Sequence, residues 1–110
     1  MSIERLHVAS RYSEAVIHNG VVYLSGDIRQ QTRETLAAID RLLTEAGSDK
    51  TRILSATLYL RDIDADYAGM NAEWDAWVAP GAAPARATVQ ARLYAPEVRV
   101  EIQIVAAQAG

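Results

Sequence analysis

The sequence predicts one two-layer α+β domain, residues 1–110, in which two helices cover one face of a single mixed β-sheet. Two observations carry this prediction. Apolar residues recur at helical spacing in two segments that flank a strand, and they alternate with polar residues over the last strand. The length and the apolar content of 50% are those of an ordinary globular domain, and the elements follow the order ββ(β)αβαββ.

The N-terminal part of the chain is expected to form a β-hairpin. Residues 14–26, EAVIHNGVVYLSG, contain two β-rich runs on either side of Asn19-Gly20. Asn-Gly is a strong hairpin signal because both central residues of a type I′ turn need a positive φ. Residues 3–8 are expected to add a strand before this hairpin.

Two amphipathic helices are predicted, one on each side of a central strand. The first covers residues 31–47, where Leu36, Ile39 and Leu43 share one helical face, and it leaves residues 26–31 as a short loop. The second covers about residues 64–78 and ends before Pro80-Gly81. Its apolar stripe, in which we interpret the two tryptophans as core or interface anchors, is Tyr67, Met70, Trp74, Trp77 and Val78.

Three strands are predicted in the remainder of the chain. The central strand, residues 52–62, alternates, and its apolar face consists of Leu54, Ala56, Leu58 and Leu60. Residues 86–93 and 98–105 are expected to pair as a hairpin, with Gln90 opposite Glu101. That register places Arg86 about 13 Å from Glu101 at about 3.3 Å per residue, so only a bulge or a neighbouring subunit brings the two into one site.

The sheet face away from the helices is expected to be polar but not fully solvated. The residues assigned to it are Thr57, Tyr59, Thr88, Gln90, Glu101 and Gln103. This mixture is too polar for a core and too apolar for a face left in bare solvent. We therefore expect subunits to pack on it around a symmetry axis.

Composition excludes several classes of function. The net charge of -3 gives no basic surface for nucleic acid, and the absence of cysteine excludes disulfides, thiolate nucleophiles and zinc-thiolate sites. No apolar run approaches the ~20 residues of a membrane span, and the N-terminus has no signal-peptide core, so a cytoplasmic protein without membrane contact is expected.

No metal site is predicted. Asp62, Asp64, Asp66 and Glu73 match four positions of a calcium-binding loop, but Tyr67 occupies the position that needs glycine for the sharp turn. Helical periodicity also continues through the segment. Acidic residues favoured by the dipole at a helix N-terminus explain the pattern better.

Two charged residues are candidates for chemistry, and each also has a structural interpretation. Arg86 stands at the start of a strand after a proline-bounded loop, where its guanidinium either grips a carboxylate or forms a surface ion pair. Glu101 either positions water as a general base or pairs across the sheet with Arg92 or Arg99. Spacing alone leaves both alternatives open.

Five stretches taken together resemble the Rid family of reactive-intermediate deaminases, also called YjgF-like proteins. They are RYSEAVIHNGVVYLSG, QTRETLAAIDRLLTEAGSDKTRIL, ATLYLRDIDADYAGMNAEWDAW, APARATVQARL and VEIQIVAA, and they span nearly the whole chain in order. The block NAEWDAWVAPGAAPARATVQA is most similar to the YoaB-like branch. The resemblance implies a chorismate-mutase-like fold, a homotrimer with sites between subunits, and cofactor-free hydrolysis of enamine or imine acids such as 2-aminoacrylate and 2-iminopropanoate to 2-keto acids and ammonia.

The same resemblance implies the roles of individual residues. Arg86 matches the arginine that grips the substrate carboxylate, and Glu101 matches the glutamate that positions water near the imine. The other matching positions, of which Thr88 is often cysteine in the family, are Tyr12, Gly26, Asn71 and Thr88. Independently of the resemblance, Ser25-Gly26 at a strand end either presents a backbone amide to an anion or is an ordinary turn. This chain departs from the family in the short segment of residues 26–31 and in RLYAPEVRVE, where a Leu-Pro turn is usual. The alternative is a trimer that binds small carboxylates or keto acids in a regulatory role without turning them over.

Overall fold

The computed structural model describes residues 27–108 and, before them, the backbone of three short strands at residues 5–8, 13–16 and 19–20. The two helices are α1 and α2, and Lys50–Arg52 form one 3₁₀ turn before β4. In chain order the elements are β1 (Arg5–Val8), β2 (Ser13–Val16), β3 (Asn19–Gly20), α1 (Ile28–Glu45), β4 (Ile53–Leu60), α2 (Ile63–Trp77), β5 (Ala85–Gln90) and β6 (Val100–Ala106).

These strands form one mixed sheet in the order β1-β2-β3-β6-β4-β5. Strands β4 and β5 are parallel, and α2 is the crossover that parallel neighbours require. Every other adjacent pair is antiparallel. The α+β class with a mixed sheet is therefore confirmed.

Both helices pack on the same face of the sheet, as predicted. Leu36, Ile39 and Leu43 of α1 and Met70 and Trp74 of α2 belong to one buried cluster. The sheet contributes the alternating apolar residues of its two central strands, which are Ala56, Leu58, Leu60, Val100, Ile102, Ile104 and Ala106. Leu54 is the exception to the predicted stripe. It is 59% exposed because the register with β6 shifts between Ile53 and Ser55, and Ile53 is buried instead.

The predicted hairpin of the last two strands is wrong. β4 lies between β5 and β6, pairing with both, so Gln90 lies beside Leu60 and Glu101 lies beside Tyr59. The prediction assumed that consecutive strands pair, which is the commoner case. Here the crossover through α2 places β5 at the outer edge of β4 instead.

The new pairing also corrects the predicted faces. Arg86 and Thr88 lie beside Ala56 and Leu58, whose side chains point to the helices, and Gln90 accepts a hydrogen bond from the backbone N–H of Ile63 at 3.0 Å. Thr88 and Gln90 are therefore on the helix side, not on the open face. The open face keeps the other predicted residues, and β5 adds Ala85, Ala87 and Val89 to it.

Antiparallel pairing is present in the N-terminal part, but the predicted turn at Asn19-Gly20 is wrong, and the second run of the predicted hairpin, residues 21–26, lies outside the described residues. Val16 pairs with Asn19 and Ala15 with Gly20, so Asn19 and Gly20 are strand residues and the connection precedes them. Gly20 also pairs with Ile104 of β6, which draws it into the sheet. The expected strand within residues 3–8 is present as β1.

Helix α1 begins three residues before its predicted start. Asp27 is its N-cap and accepts a hydrogen bond from the N–H of Gln30 at 2.8 Å. Residues 28–31, expected to be a loop, are its first turn. Near the start of the helix, the residues on its buried face are polar. These residues are Gln31, Thr32 and Thr35. The apolar pattern therefore did not reveal this first turn.

Gln31 joins the start of α1 to the entrance of β6. Its side chain is fully buried, donates from Nε2 to the carbonyl oxygen of Glu97 at 2.7 Å, and accepts from the N–H of Arg99 at 2.8 Å. The amide therefore pairs two backbone groups of a segment outside regular structure. Without it, both groups would lose this partner.

Replacing Gln31 with alanine is expected to lower the free energy of unfolding by about 1–3 kcal/mol, since it removes two part-buried hydrogen bonds between α1 and the segment before β6. Gln30→Ala is the matched control, because the neighbouring glutamine is exposed and bonds only within its own helix. That control should change stability by less than about 0.5 kcal/mol. Urea unfolding of both variants measures the difference, and equal losses would contradict the assignment.

Candidate functional site

The candidate site lies between the edge strand β5 and helix α2, where Arg86 contacts Trp74 and Met70, and this place is called the cleft below. Arg86 enters this cleft from β5, where its neighbour on β4 is the small, buried Ala56. The partly buried guanidinium lies over the ring of Trp74, with Cζ 5.3 Å from the ring centroid, and Nη1 is 3.8 Å from Sδ of Met70. A thioether sulfur is a weak acceptor and an aromatic ring accepts no strong hydrogen bond, so these contacts leave the donors of Arg86 largely unused.

Five of the seven other arginines in residues 27–108 bind oxygen atoms of the chain, and the remaining two, Arg41 and Arg92, are exposed. Arg29 and Arg33 pair with Glu73, Arg99 pairs with Asp66, and Arg52 and Arg61 donate to backbone carbonyls. Within residues 27–108, Arg86 has no such oxygen partner. The surface ion pair considered as the alternative for Arg86 is thus not formed with this part of the chain. A partly buried cation without an anion nearby is suited to bind one.

Asn71 and Thr88 lie close to Arg86 along the same two elements. Thr88 is two residues further along β5 on the same face, and Asn71 follows Met70 on α2. Asn71 Oδ1 and Thr88 Oγ1 are both buried, and neither has a hydrogen-bond partner in the described segment. Unpaired buried polar atoms are uncommon, and they often mark functional positions. Arg86 and Thr88 of β5 and Asn71 of α2 thus lie on the two elements that meet at the Arg86 contacts.

Glu101 is not in this cleft. It pairs with Tyr59 on the open face, whereas Arg86 pairs with Ala56 on the helix side, and β4 runs between them. Two strand spacings across the sheet and three residues along it separate their Cα atoms by about 14 Å. The prediction that Arg86 and Glu101 do not meet within one chain holds, although it was based on a different register. Tyr12, Ser25 and Gly26 lie outside the described residues.

Sequence reasoning missed Arg61, which organises the connection between β5 and β6. Arg61 directly follows β4 and donates to the carbonyl oxygens of Val98 at 2.9 Å, Leu93 at 3.0 Å and Ala95. These contacts fix the connection that leads from β5 past the end of β4 to β6. The only sequence signal was the position of an arginine at a strand end, which Arg86 shares.

A second, polar groove of about 540 Å³ lies at the N-terminal end of α2. Asp66, only 4% exposed, lines it beside Arg99, whose Nη1 is 3.7 Å from Asp66 Oδ1. Burial raises the pKa of the Asp66 carboxyl, and nearby Asp62 adds to this, while Arg99 opposes it. The ionised form of Asp66 is therefore less favourable in the folded protein than in the unfolded chain, and the ion pair with Arg99 does not fully offset this difference.

Replacing Asp66 with asparagine should stabilise the protein progressively, relative to wild type, as the pH rises. Because the folded-state pKa is raised, the contribution of Asp66 to stability is full below the unfolded pKa and is lost as the pH rises through the folded pKa. Thermal unfolding between about pH 3 and about pH 7 measures the difference. Asp64→Asn, on the exposed side of the same turn, is the control. A relative stability of Asp66→Asn that falls with rising pH would show that the pair with Arg99 dominates.

The described residues bear on two predicted absences, that of a metal site and that of a membrane span. In the described part of the chain, no three His, Cys, Asp or Glu side chains are grouped so as to hold a metal ion, so Asp62, Asp64, Asp66 and Glu73 do not form a calcium site there. The helices at residues 28–45 and 63–77 are neither long nor apolar enough to cross a bilayer.

The fold and the site together define a class of protein, namely an α+β domain with an arginine at the edge of its sheet. Residues 2–108 match the model of a family described as endoribonuclease L-PSP. The RutC family protein YoaB of Escherichia coli (strain K12) is 48% identical over 114 residues, which cover 97% of this chain and 99% of YoaB.

Solved structures give the same result. NMB1025 of Neisseria meningitidis, a member of the YjgF family, superimposes with a TM-score of 0.87 at 49% identity, covering 100% of this chain and 98% of that one. YyfA of Yersinia pestis, of the Rid family, superimposes with a TM-score of 0.75 at 29% identity, covering 90% and 89%. The chain belongs to this family, named variously YjgF, RutC, Rid and L-PSP, and its predicted likeness to YoaB is confirmed.

Proposed function

We propose that the protein is a cofactor-free deaminase that hydrolyses short-lived enamine and imine acids, of the 2-aminoacrylate and 2-iminopropanoate type, to 2-keto acids and ammonia. The observation that carries the proposal is the state of Arg86. Its guanidinium is partly buried over Trp74 and has no oxygen partner within residues 27–108. A small carboxylate fits the planar fork of donors that these contacts leave unused.

The reaction mainly requires the protein to position the substrate and a water molecule. The carbon of an imine is already electrophilic, so water adds to it once the two are held in reach and a group removes the proton of the water. In this proposal Arg86 holds the substrate carboxylate and Glu101 takes the proton. Addition of water gives a carbinolamine, and loss of ammonia from that carbon leaves the 2-keto acid. Asn71 and Thr88 lie on the elements that carry the Arg86 contacts, and the family resemblance assigns Tyr12 and Gly26 to the same site.

The proposal includes a homotrimer with sites between subunits. Glu101 projects from the sheet face opposite to that of Arg86, so one chain does not bring the two together. The open face also carries exposed apolar area, including Val89 at 41% exposure on the edge strand. Packing of a second copy against this strand covers that area and supplies the missing carboxylate.

The test couples the protein to a PLP-dependent dehydratase that releases 2-aminoacrylate from serine, with keto-acid formation followed continuously. Wild-type protein is expected to accelerate release of pyruvate beyond the spontaneous rate, in proportion to its concentration. If pyruvate forms at the spontaneous rate at every protein concentration, the enzymatic assignment is wrong.

A second candidate function is a trimer that binds small carboxylates or keto acids in a regulatory role. The position of Glu101 favours it, because a single chain then has an anion anchor without the group that positions water. Calorimetry separates the two candidates. Binding of pyruvate that depends on Arg86, without acceleration of deamination, is the result expected of the binder.

A further inference from the structure

We propose that Trp74, together with Met70, is the positioning residue of the Arg86 site: it holds the guanidinium in its binding orientation without neutralising its charge. This inference rests on the proposed function and deepens it, since it explains how an anion site is kept ready in the absence of its ligand. It follows from the contacts of Arg86 and from the place of the two side chains on α2.

Met70 and Trp74 lie one helical turn apart and so face the same way. Met70 is fully buried and Trp74 is 5% exposed, and both belong to the main core cluster. Their positions are therefore fixed by packing. Trp74 also contacts Trp77, with ring centroids 5.4 Å apart and planes tilted by 49°. The wall that receives Arg86 is thus rigid.

The chemistry of this wall is what distinguishes it from an ordinary arginine partner. A carboxylate at the same place would orient Arg86 equally well, but it would cancel the charge and compete with an incoming anion for the same donors. An indole face attracts a guanidinium through its quadrupole, and a thioether adds a soft, weak acceptor. Both hold the cation and leave its strong hydrogen-bonding capacity for the ligand.

The experiment uses pyruvate as the probe and the tryptophans as reporters. The chain contains two tryptophans, so Trp77→Phe leaves Trp74 as the sole emitter. Pyruvate is expected to change the Trp74 emission saturably in this protein and not after a further Arg86→Met substitution. A change that persists without Arg86 would overturn the inference.

Affinity provides the second readout. Trp74→Phe is expected to raise the calorimetric Kd for pyruvate about three- to tenfold, the range of a partly buried cation–π contact. Trp77→Phe keeps an aromatic ring against Trp74 and removes the indole N–H that donates to Asp40, away from Arg86, so it should leave Kd unaltered. If both variants lose thermal stability alike and only Trp74→Phe loses affinity, a merely structural role for Trp74 is excluded.

Met70→Leu keeps the inference testable if Trp74→Phe does not fold. It preserves volume in the core and removes only the sulfur contact to Arg86. A raised Kd supports the inference. Wild-type affinity in both Met70→Leu and Trp74→Phe, while Arg86→Met does not bind, overturns the inference and leaves the proposed function standing. Failure of wild-type protein to bind pyruvate at all overturns the proposed function, and the inference with it.

Discussion

Arg86→Met is expected to lower kcat/KM for deamination of 2-aminoacrylate by about 10- to 100-fold, the cost of losing charged hydrogen bonds to a carboxylate. Methionine keeps an unbranched side chain against Trp74, so packing beneath β5 is largely preserved. The coupled dehydratase assay measures the rate, and thermal unfolding shows whether the fold is retained. The kcat/KM of Arg86→Lys should lie between those of wild type and Arg86→Met, because an ammonium keeps the charge but not the planar fork.

The matched control for this substitution is Arg92→Met. Arg92 is exposed and lies just beyond the end of β5. Its replacement removes one positive charge, as Arg86→Met does, but at a position outside the cleft. It should retain nearly wild-type activity. Equal activity of the two variants would show that Arg86 is a structural arginine and would remove the main support for the site.

The second large effect is expected when two inactive variants are mixed. Arg86→Met lacks the carboxylate anchor and Glu101→Gln lacks the group that removes the proton, so each alone should have little activity. If each site takes Arg86 from one chain and Glu101 from its neighbour, equal random mixing makes about a quarter of the sites intact. Co-refolding the variants in equal amounts and repeating the assay measures the recovery.

Complementation of this kind depends on the architecture of the site. If both residues of a site came from one chain, no mixed assembly would contain an intact site, and activity would stay at the level of the separate variants. Mixing each variant with wild type instead controls for dilution. A recovery near a quarter would thus establish both the shared site and the assembly that the proposal requires.

The helices and the central strand were predictable because their signals are local. Leu36, Ile39 and Leu43 mark the buried face of α1, and Leu58 and Leu60 that of β4, whatever the strand order. The early start of α1 was not predictable from apolar periodicity, because Gln31 is polar. It is buried only because a distant segment offers its backbone groups to the amide.

The pairing of β5 was wrong for a reason that bears on the site. Alternation assigned Arg86 and Thr88 to a common face, but it carries no information about which side of the sheet that face takes. The parallel register with β4 decides this, and it turns Arg86 towards Trp74 instead of the open face. Arg86 as a candidate anchor was therefore accessible from the sequence, whereas its contacts with Trp74 and Met70 and its register relative to Glu101 were not.

A crystal structure of the protein soaked with pyruvate tests most directly whether Arg86 anchors a small carboxylate between two copies of the chain. The account predicts that both carboxylate oxygens lie within about 3 Å of the guanidinium nitrogens, that Trp74 still stacks on the guanidinium, and that a second chain contacts the keto end. Pyruvate bound elsewhere, or a cleft closed by residues of one chain alone, would contradict it.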